Sequence, residues 1–330
     1  MTTERTRSRG TRQGGGSRPP ARDDGGVPGG LPSVVRYSDA RRAEIAARVR
    51  AGELVRARRG VYVAPGEEGS AARRRRAFVV RHAVALAERL TTEHWFSHTT
   101  AAVLHGLWTW RLAGEVHVMQ RSAPSVRRAS DPVVRRHRAA LREEDTALVD
   151  GLPVTSLERT VVDCARSLSP LGGIVVADSA LRAGADPVRL AALLRESTGG
   201  RGVRTARRVL AAADGRSESP GESLVRWIVV DAGLPAPEPN VTTETWRGTY
   251  RLDLAWVALR VAVEFDGAVK YGGGAYGDPT SRLLAEKQRH DALVEAGWAV
   301  LRVTWADLAD GDMLVRRVRS VLARRRHDGR

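Results

Sequence analysis

Helical and strand-like patterns of apolar positions alternate along this chain, and together they predict a mixed α/β protein. Residues 38–51 read as a helix, with Ser38 or Asp39 as N-cap, Ile45 and Val49 on one face and Gly52 at the stop. Two short β-like runs follow within residues 53–63, joined at Arg58-Arg59-Gly60. Residues 72–90 form a helix with apolar positions at Phe78, Val79, Ala83 and Leu86 and a basic face at Arg73, Arg74, Arg75, Arg76 and Arg81. Another helix is expected at 97–107 and a strand at 115–119. Thr155-Ser-Leu-Glu158 is a capping box that opens an amphipathic helix ending at Leu168, with Val161, Ala165 and Leu168 toward its core. A helical pair covers 173–183 and 187–196, and the small, polar stretch 211–218 reads as a linker.

Beyond that stretch the pattern becomes more specific. Ser219 as N-cap, Pro220 at N1 and Glu222 at N3 open a helix whose apolar side is Leu224, Trp227, Ile228 and Val230; a Pro-rich loop at 235–239 ends it. Strands at 250–256 and 260–266 are separated by 257–259. On the second strand Val261, Val263 and Phe265 point one way, and Glu264 and Asp266 the other. Pairing Trp256 with Val261 places Asp253 opposite Glu264 and Arg251 opposite Asp266; an even slip keeps the face and changes the partner. Facing carboxylates destabilise a strand pair unless a cation lies between them, and oxygen-only ligands favour Mg²⁺ or Mn²⁺ over zinc. The competing reading is a solvated strand face with salt bridges to Arg251 and Arg260. Helix capping accounts for Glu222, with an accessory metal role as the competing reading. A Gly-rich loop at 267–279 leads to a helix at 280–295, in which Glu286/His290 and Lys287/Asp291 are spaced i, i+4. Gly297 stops it, 298–305 is a buried strand, and the last helix, 313–326, carries an Arg-rich face.

Charge changes the picture in the upstream part. The chain of 330 residues has a formal net charge of +16. Residues 1–215 hold 37 basic and 22 acidic side chains, whereas 216–330 hold 17 and 16, so the excess that could attract phosphates lies upstream of the carboxylates. An Arg-rich, GC-biased composition would produce the same surplus without a polyanionic partner. A helix followed by a basic two-stranded ribbon is the closing part of a winged helix-turn-helix, and it sets Arg56, Arg58 and Arg59 to touch phosphates. Of the 54 basic residues only Lys270 and Lys287 are lysines, and both flank the same short segment. Lysine, unlike arginine, can be tuned as a catalytic acid or base.

The remaining signals mostly exclude. Residues 1–30 form a Gly-, Arg- and Pro-rich arm expected to be disordered. Cys164 is the sole cysteine, so the chain has no internal disulfide and no Cys-based zinc cage. His98, His105, His117 and His137 lack ligand spacing such as HExxH and read as scattered core or surface histidines. No run approaches the ~18 apolar residues of a membrane span, and the N-terminus lacks an apolar signal region; a cytoplasmic location is expected.

Ser-Pro-Gly-Glu222, Arg-Leu-Asp253, Val-Glu264-Phe-Asp266-Gly, Glu-Lys-Gln-Arg289-His-Asp291-Ala-Leu and Gly-Trp298-Ala-Val-Leu-Arg-Val-Thr-Trp305 occur in order over about residues 217–326. That set resembles a domain of unknown function grouped with the very-short-patch-repair (Vsr-like) endonucleases of the PD-(D/E)xK superfamily. Upstream, Gly-Glu-Leu-Val-Arg-Ala-Arg-Arg-Gly-Val-Tyr-Val63, Ser97-His-Thr-Thr-Ala-Ala-Val-Leu-His-Gly106 and Leu-Pro-Val-Thr155-Ser-Leu-Glu-Arg-Thr-Val-Val-Asp163 resemble abortive-infection AbiEi-type antitoxins. Those combine a winged-helix DNA binder with a second α/β domain, and the first helices of the usual winged helix are truncated here. The resemblance implies a restriction-endonuclease-like mixed sheet flanked by helices, with Asp253 and Glu264 as metal ligands and the Phe265 carbonyl or Asp266 completing the shell. Asp266 stands where the superfamily has a lysine; Lys287 or Lys270 could project an amine into that space, and His290 is a remote candidate for an assisting histidine.

The expected organisation is therefore an arm at 1–30, a winged-helix-like module at 31–66, an AbiEi-like α/β domain at 67–210 and a Vsr-like domain at 217–330. The leading expectation is a Mg²⁺- or Mn²⁺-dependent DNA endonuclease linked to defence or toxin-antitoxin function. Its rival is a non-catalytic DNA-binding antitoxin or transcriptional regulator with a degenerate nuclease fold. DNA and a cognate toxin are the expected partners.

Overall fold

In the computed structural model, residues 31–66, 69–121, 131–267 and 279–328 are described. The arm expected at 1–30 and most of the Gly-rich loop, Lys270 included, lie outside the described residues.

Three sheets organise the chain, each served by its own helices. In the first, β1 (Val34–Arg36), β2 (Val55–Arg58) and β3 (Val61–Val63) are antiparallel in the order β1-β3-β2, and α1 (Arg42–Arg50) precedes the hairpin. Ile45, Val35 and Leu54 form its small core, while Val49, expected beside Ile45, is exposed. The β2–β3 turn passes through Gly60 at φ +75, a conformation that suits glycine.

The second sheet has five strands in the order β6-β5-β4-β8-β7. Its elements run α2 (Ala71–Ala87), β4 (Trp95–Phe96), α3 (His98–Leu104), β5 (Val116–Gln120), β6 (Val134–Arg138), β7 (Thr146–Val149) and β8 (Leu152–Thr155). Four helices follow: α4 (Leu157–Ser167), α5 (Pro170–Arg182), α6 (Pro187–Glu196) and α7 (Val203–Ala212). Ser156 rather than Thr155 caps α4, accepting from the Arg159 N–H at 3.3 Å, because the Thr155 hydroxyl is bonded to Thr160.

The third sheet has the order β12-β11-β10-β9. α8 (Pro220–Asp231) leads into β9 (Glu238–Thr245), β10 (Gly248–Trp256) and β11 (Val261–Asp266); α9 (Pro279–Glu295) crosses over to β12 (Ala299–Thr304), parallel to β11, and α10 (Gly311–Asp328) closes the chain. Val261, Val263 and Phe265 pack with Val225 and Val229 of α8 and Leu314 and Val318 of α10. Ala255 and Ala262 face the other way, toward Leu293 of α9. A mixed sheet with helices on both faces results, so the chain is α/β throughout.

The stretch read as a linker at 211–218 is not a loose one. Ser217 is fully buried, and Leu224 and Trp227 of α8 belong to the core built by α4, α5, α6 and α7. One face of α8 thus completes the helical layer while the other covers the third sheet. No helix of the described residues is long and apolar enough to cross a membrane.

Candidate functional site

The strand pair β10–β11 is joined by a single 3-10 turn, Val257–Leu259, followed by Arg260 in the left-handed region at φ 46. So short a connection leaves little freedom of register: Trp256 pairs with Val261, Ala255 with Ala262 and Leu254 with Val263. The pairing stops there, one residue short of Asp253 and Glu264.

The cation that reaches these acids belongs to the chain itself. Arg289 of α9 donates to both Glu264 oxygens, at 2.8 and 2.5 Å, and to the Arg251 carbonyl at 3.0 Å, and its guanidinium lies 5.7 Å from the Tyr250 ring centroid. A two-pronged guanidinium–carboxylate pair is the strongest ion pair the side chains offer. Asp253 Oδ2 accepts the Phe265 backbone N–H at 2.9 Å. Asp266 is exposed at the end of β11, opposite Thr304 of β12. Lys287 is exposed. It lies two residues from Arg289, about 200° around the helix, so when one faces the sheet the other faces water. His290 is half-buried, and its Nδ1 is without a hydrogen-bond partner. Among the described residues, Glu222, Asp253, Glu264 and Asp266 do not bring three ligand atoms within 4.8 Å of one another.

Glu222 occupies the N3 position of α8 as expected. It accepts from the Glu218 N–H at 2.7 Å and the Ser219 hydroxyl at 2.8 Å, and Ser219 Oγ accepts the Glu222 N–H at 3.2 Å. The residue is 1% exposed, and burial, reinforced by the negative charge of Asp253, pushes its carboxyl up to about 7. Below about pH 4.5 both folded and unfolded chains carry the proton. Between there and pH 7 the unfolded chain loses it while the fold retains it, so stability falls as pH rises through this window and levels above it. Glu222→Gln is expected to remove that loss, about 3 kcal/mol at most. Urea unfolding of both proteins at pH 4.5 and 7.5 measures it; an unchanged difference between them across the two pH values would exclude an uncharged Glu222.

At the upstream hairpin, Arg56 and Arg59 are exposed. Arg58 is not available to a phosphate: its side chain is 10% exposed and paired with Asp131. Regular alternation would put Arg58 on the same face as exposed Arg56, but a bulge between the two shifts the register there.

The histidines also differ from the expectation of scattered residues. Among the described residues, the one group of three or more metal-ligating side chains whose donor atoms lie within 4.8 Å of one another is His98, His117 and His137. Only His105 stands apart, its Nε2 bonded to the Thr155 carbonyl at 2.8 Å. No spacing along the chain signals the group, because its members come from the start of α3, from β5 and from β6.

Comparison with known proteins places these features in a family. Residues 96–212 match the AbiEi antitoxin C-terminal domain, the span from β4 to the end of α7 that contains all three histidines. That match does not reach the strand pair of Asp253 and Glu264, so the likeness of the last third to Vsr-like endonucleases rests on its motifs alone. Uncharacterized proteins from two strains of Mycobacterium tuberculosis are each 31% identical over 277 residues, covering 81% of this chain and 91% of theirs. The chain belongs to the family of these mycobacterial proteins and has an AbiEi antitoxin C-terminal domain at residues 96–212.

Proposed function

We propose that this protein is a DNA-binding regulator of the antitoxin type, acting in a toxin-antitoxin or defence system. The observation that carries the reading is the AbiEi antitoxin C-terminal domain at 96–212, preceded by a helix and a basic antiparallel hairpin. In that reading α1 lies in the major groove, with exposed Arg42 and Arg50, and the β2–β3 hairpin sets Arg56 and Arg59 on the adjacent backbone. A cognate toxin is the protein partner, and the third sheet with its helices is the module that would meet it.

Binding to DNA from upstream of its own gene, measured against random DNA of equal length at several salt concentrations, tests the reading. Arg56→Ala combined with Arg59→Ala is expected to weaken binding about 10- to 100-fold and to make the salt dependence shallower by about two charges. Arg58→Ala should leave that slope alone, since its guanidinium serves Asp131. Upstream DNA bound no tighter than random DNA would remove the regulator reading.

A hydrolytic second reading is favoured by the adjacent strands that carry Asp253 and Glu264, with Asp253 Oδ2 accepting the Phe265 N–H. A Mg²⁺ or Mn²⁺ ion does not fit these acids as they stand, because Arg289 fills both oxygens of Glu264. The same DNA incubated with either ion separates the readings: metal-dependent nicking that Asp253→Ala abolishes would favour hydrolysis, and intact DNA would exclude it.

A further inference from the structure

The three histidines of the middle sheet form a built arrangement whose ring nitrogens divide into inward and outward sets. β5 and β6 are parallel, with Met119 opposite His137, so His117 and His137 project from the same face of the sheet. α3 is tied to β5 by two backbone contacts. The Ser97 N–H donates to the His117 carbonyl at 3.0 Å, and the His117 N–H donates to Thr100 Oγ1 at 2.8 Å. These contacts set His98 over the other two. Its ring stacks on His137 with centroids 3.8 Å apart, and His117 Nδ1 lies 2.9 Å from His137 Nε2.

Two of the rings are held from behind. His98 Nδ1 is 3.0 Å from Ser97 Oγ, and in the tautomer in which Nδ1 donates to that hydroxyl, Nε2 offers a lone pair. Ser97 is the N-cap residue of α3, yet its side chain makes no capping bond to the helix. The hydroxyl that ordinarily satisfies a helix N-terminus is instead directed at an imidazole. His117 Nε2 is 3.8 Å from Glu115 Oε2, while Nδ1 faces the cluster. A ring nitrogen turned to a carboxylate or hydroxyl, with the other turned to a shared point, is how metal-bound histidines are oriented. The backbone of His98 adds an independent sign. Its φ of +51 lies in the left-handed region, which costs a residue with a side chain about 1 kcal/mol or more.

We propose that His98, His117 and His137 form a three-histidine site for a divalent transition-metal ion of the zinc class, with the fourth coordination position open to solvent. Imidazole nitrogens suit Zn²⁺, Co²⁺ or Ni²⁺ and not Mg²⁺ or Ca²⁺, which take oxygen. Three ligands at zinc lie roughly 3.3 Å apart in tetrahedral geometry, within the present spread of donor atoms. His98 is buried while His117 and His137 are half-buried, so access is from one side. Burial and mutual repulsion lower His98 to about 2 and His117 to about 4, and burial lowers His137 as well.

The untagged full-length chain, stripped with EDTA and titrated with ZnCl₂ by calorimetry, tests the site. One Zn²⁺ per chain is expected, with a rise in Tm on binding, and no binding of Mg²⁺ in the parallel titration. His137→Gln should weaken Zn²⁺ at least about 100-fold, and Glu115→Gln, which removes only the outer carboxylate, about 10-fold. Circular dichroism and the metal-free Tm establish that each variant is folded. Co²⁺ in place of Zn²⁺ should give the visible absorption bands of a tetrahedral nitrogen site. Absence of stoichiometric Zn²⁺ binding by the wild type, or binding that a folded His137→Gln retains, would overturn the proposal. Neither result bears on DNA binding, which the upstream hairpin carries.

Discussion

Arg226→Ala is expected to lower the stability of the protein by about 3–5 kcal/mol, because it strands a carboxylate in the interior. Asp178 of α5 is 0% exposed and Arg226 of α8 is 5% exposed; the guanidinium donates to Asp178 Oδ2 at 2.5 Å and also to the Ala212 carbonyl. Asp178 further accepts from the Asp214 N–H at 2.8 Å and the Ser217 hydroxyl at 3.2 Å. This one carboxylate therefore joins α5, the end of the antitoxin-like domain and the first helix of the last third. Removal of the guanidinium leaves only neutral donors, the Asp214 N–H and the Ser217 hydroxyl among them, to hold a buried charge. Replacing both residues, as in Asp178→Leu with Arg226→Met, should recover most of the loss, since the desolvation cost disappears with the pair. Urea unfolding of the two singles and the double measures the coupling. Beyond stability, Arg226→Ala should split the unfolding transition, the helical layer and the third sheet no longer melting together. A loss below about 1 kcal/mol in the single variant would mean that the pair does not bind the two parts.

The second large effect comes from a glycine. Gly202→Ala is expected to cost roughly 2–5 kcal/mol, combining a left-handed backbone with a direct collision. Gly202 precedes α7 at φ +78, and a Cβ there would stand 1.9 Å from the Arg166 carbonyl oxygen at the end of α4. The neighbour is main chain, so it cannot swing aside as a side chain would. Relief requires α7 to move from α4, and with it Ala206 and Val209, both fully buried in the helical core. Gly199→Ala is the matched control: its φ is +80, but nothing lies within 4 Å of the added methyl, so only the conformational part, about 1 kcal/mol, is expected. Equal losses in thermal unfolding of the two variants would show that the close approach to Arg166 does not matter.

What could be read ahead of the structure follows the range of each signal. The opening of α8 was legible because Ser219, Pro220 and Glu222 act within one turn, and the hydrogen bonds among Glu218, Ser219 and Glu222 are local. The pairing of Trp256 with Val261 and the inward face of Val261, Val263 and Phe265 were legible because pleating has a period of 2 and the connection between the strands is one short turn. β9 and β6 were not recognised, and both are edge strands. β9 contains Pro239, which only an edge tolerates, and β6 is Val-Arg-Arg-His-Arg, too polar to alternate because an edge can remain wet. α7 also went unrecognised, with Gly202 rather than a polar side chain at its N-cap.

From sequence alone came the α/β class, the Ser219 cap of α8, the inward and outward alternation of β11 and the concentration of positive charge upstream, all of which depend on neighbours a few residues away or on composition. Tertiary structure alone decided that Arg289 rather than Lys287 meets Glu264, that Arg58 turns in to Asp131, and that His98, His117 and His137 gather with donor atoms within 4.8 Å of one another. Each of these depends on which strand lies beside which and on the angle at which a helix crosses the sheet. Those choices are made by burial of whole faces, a property summed over many residues, so no short stretch of chain encodes them.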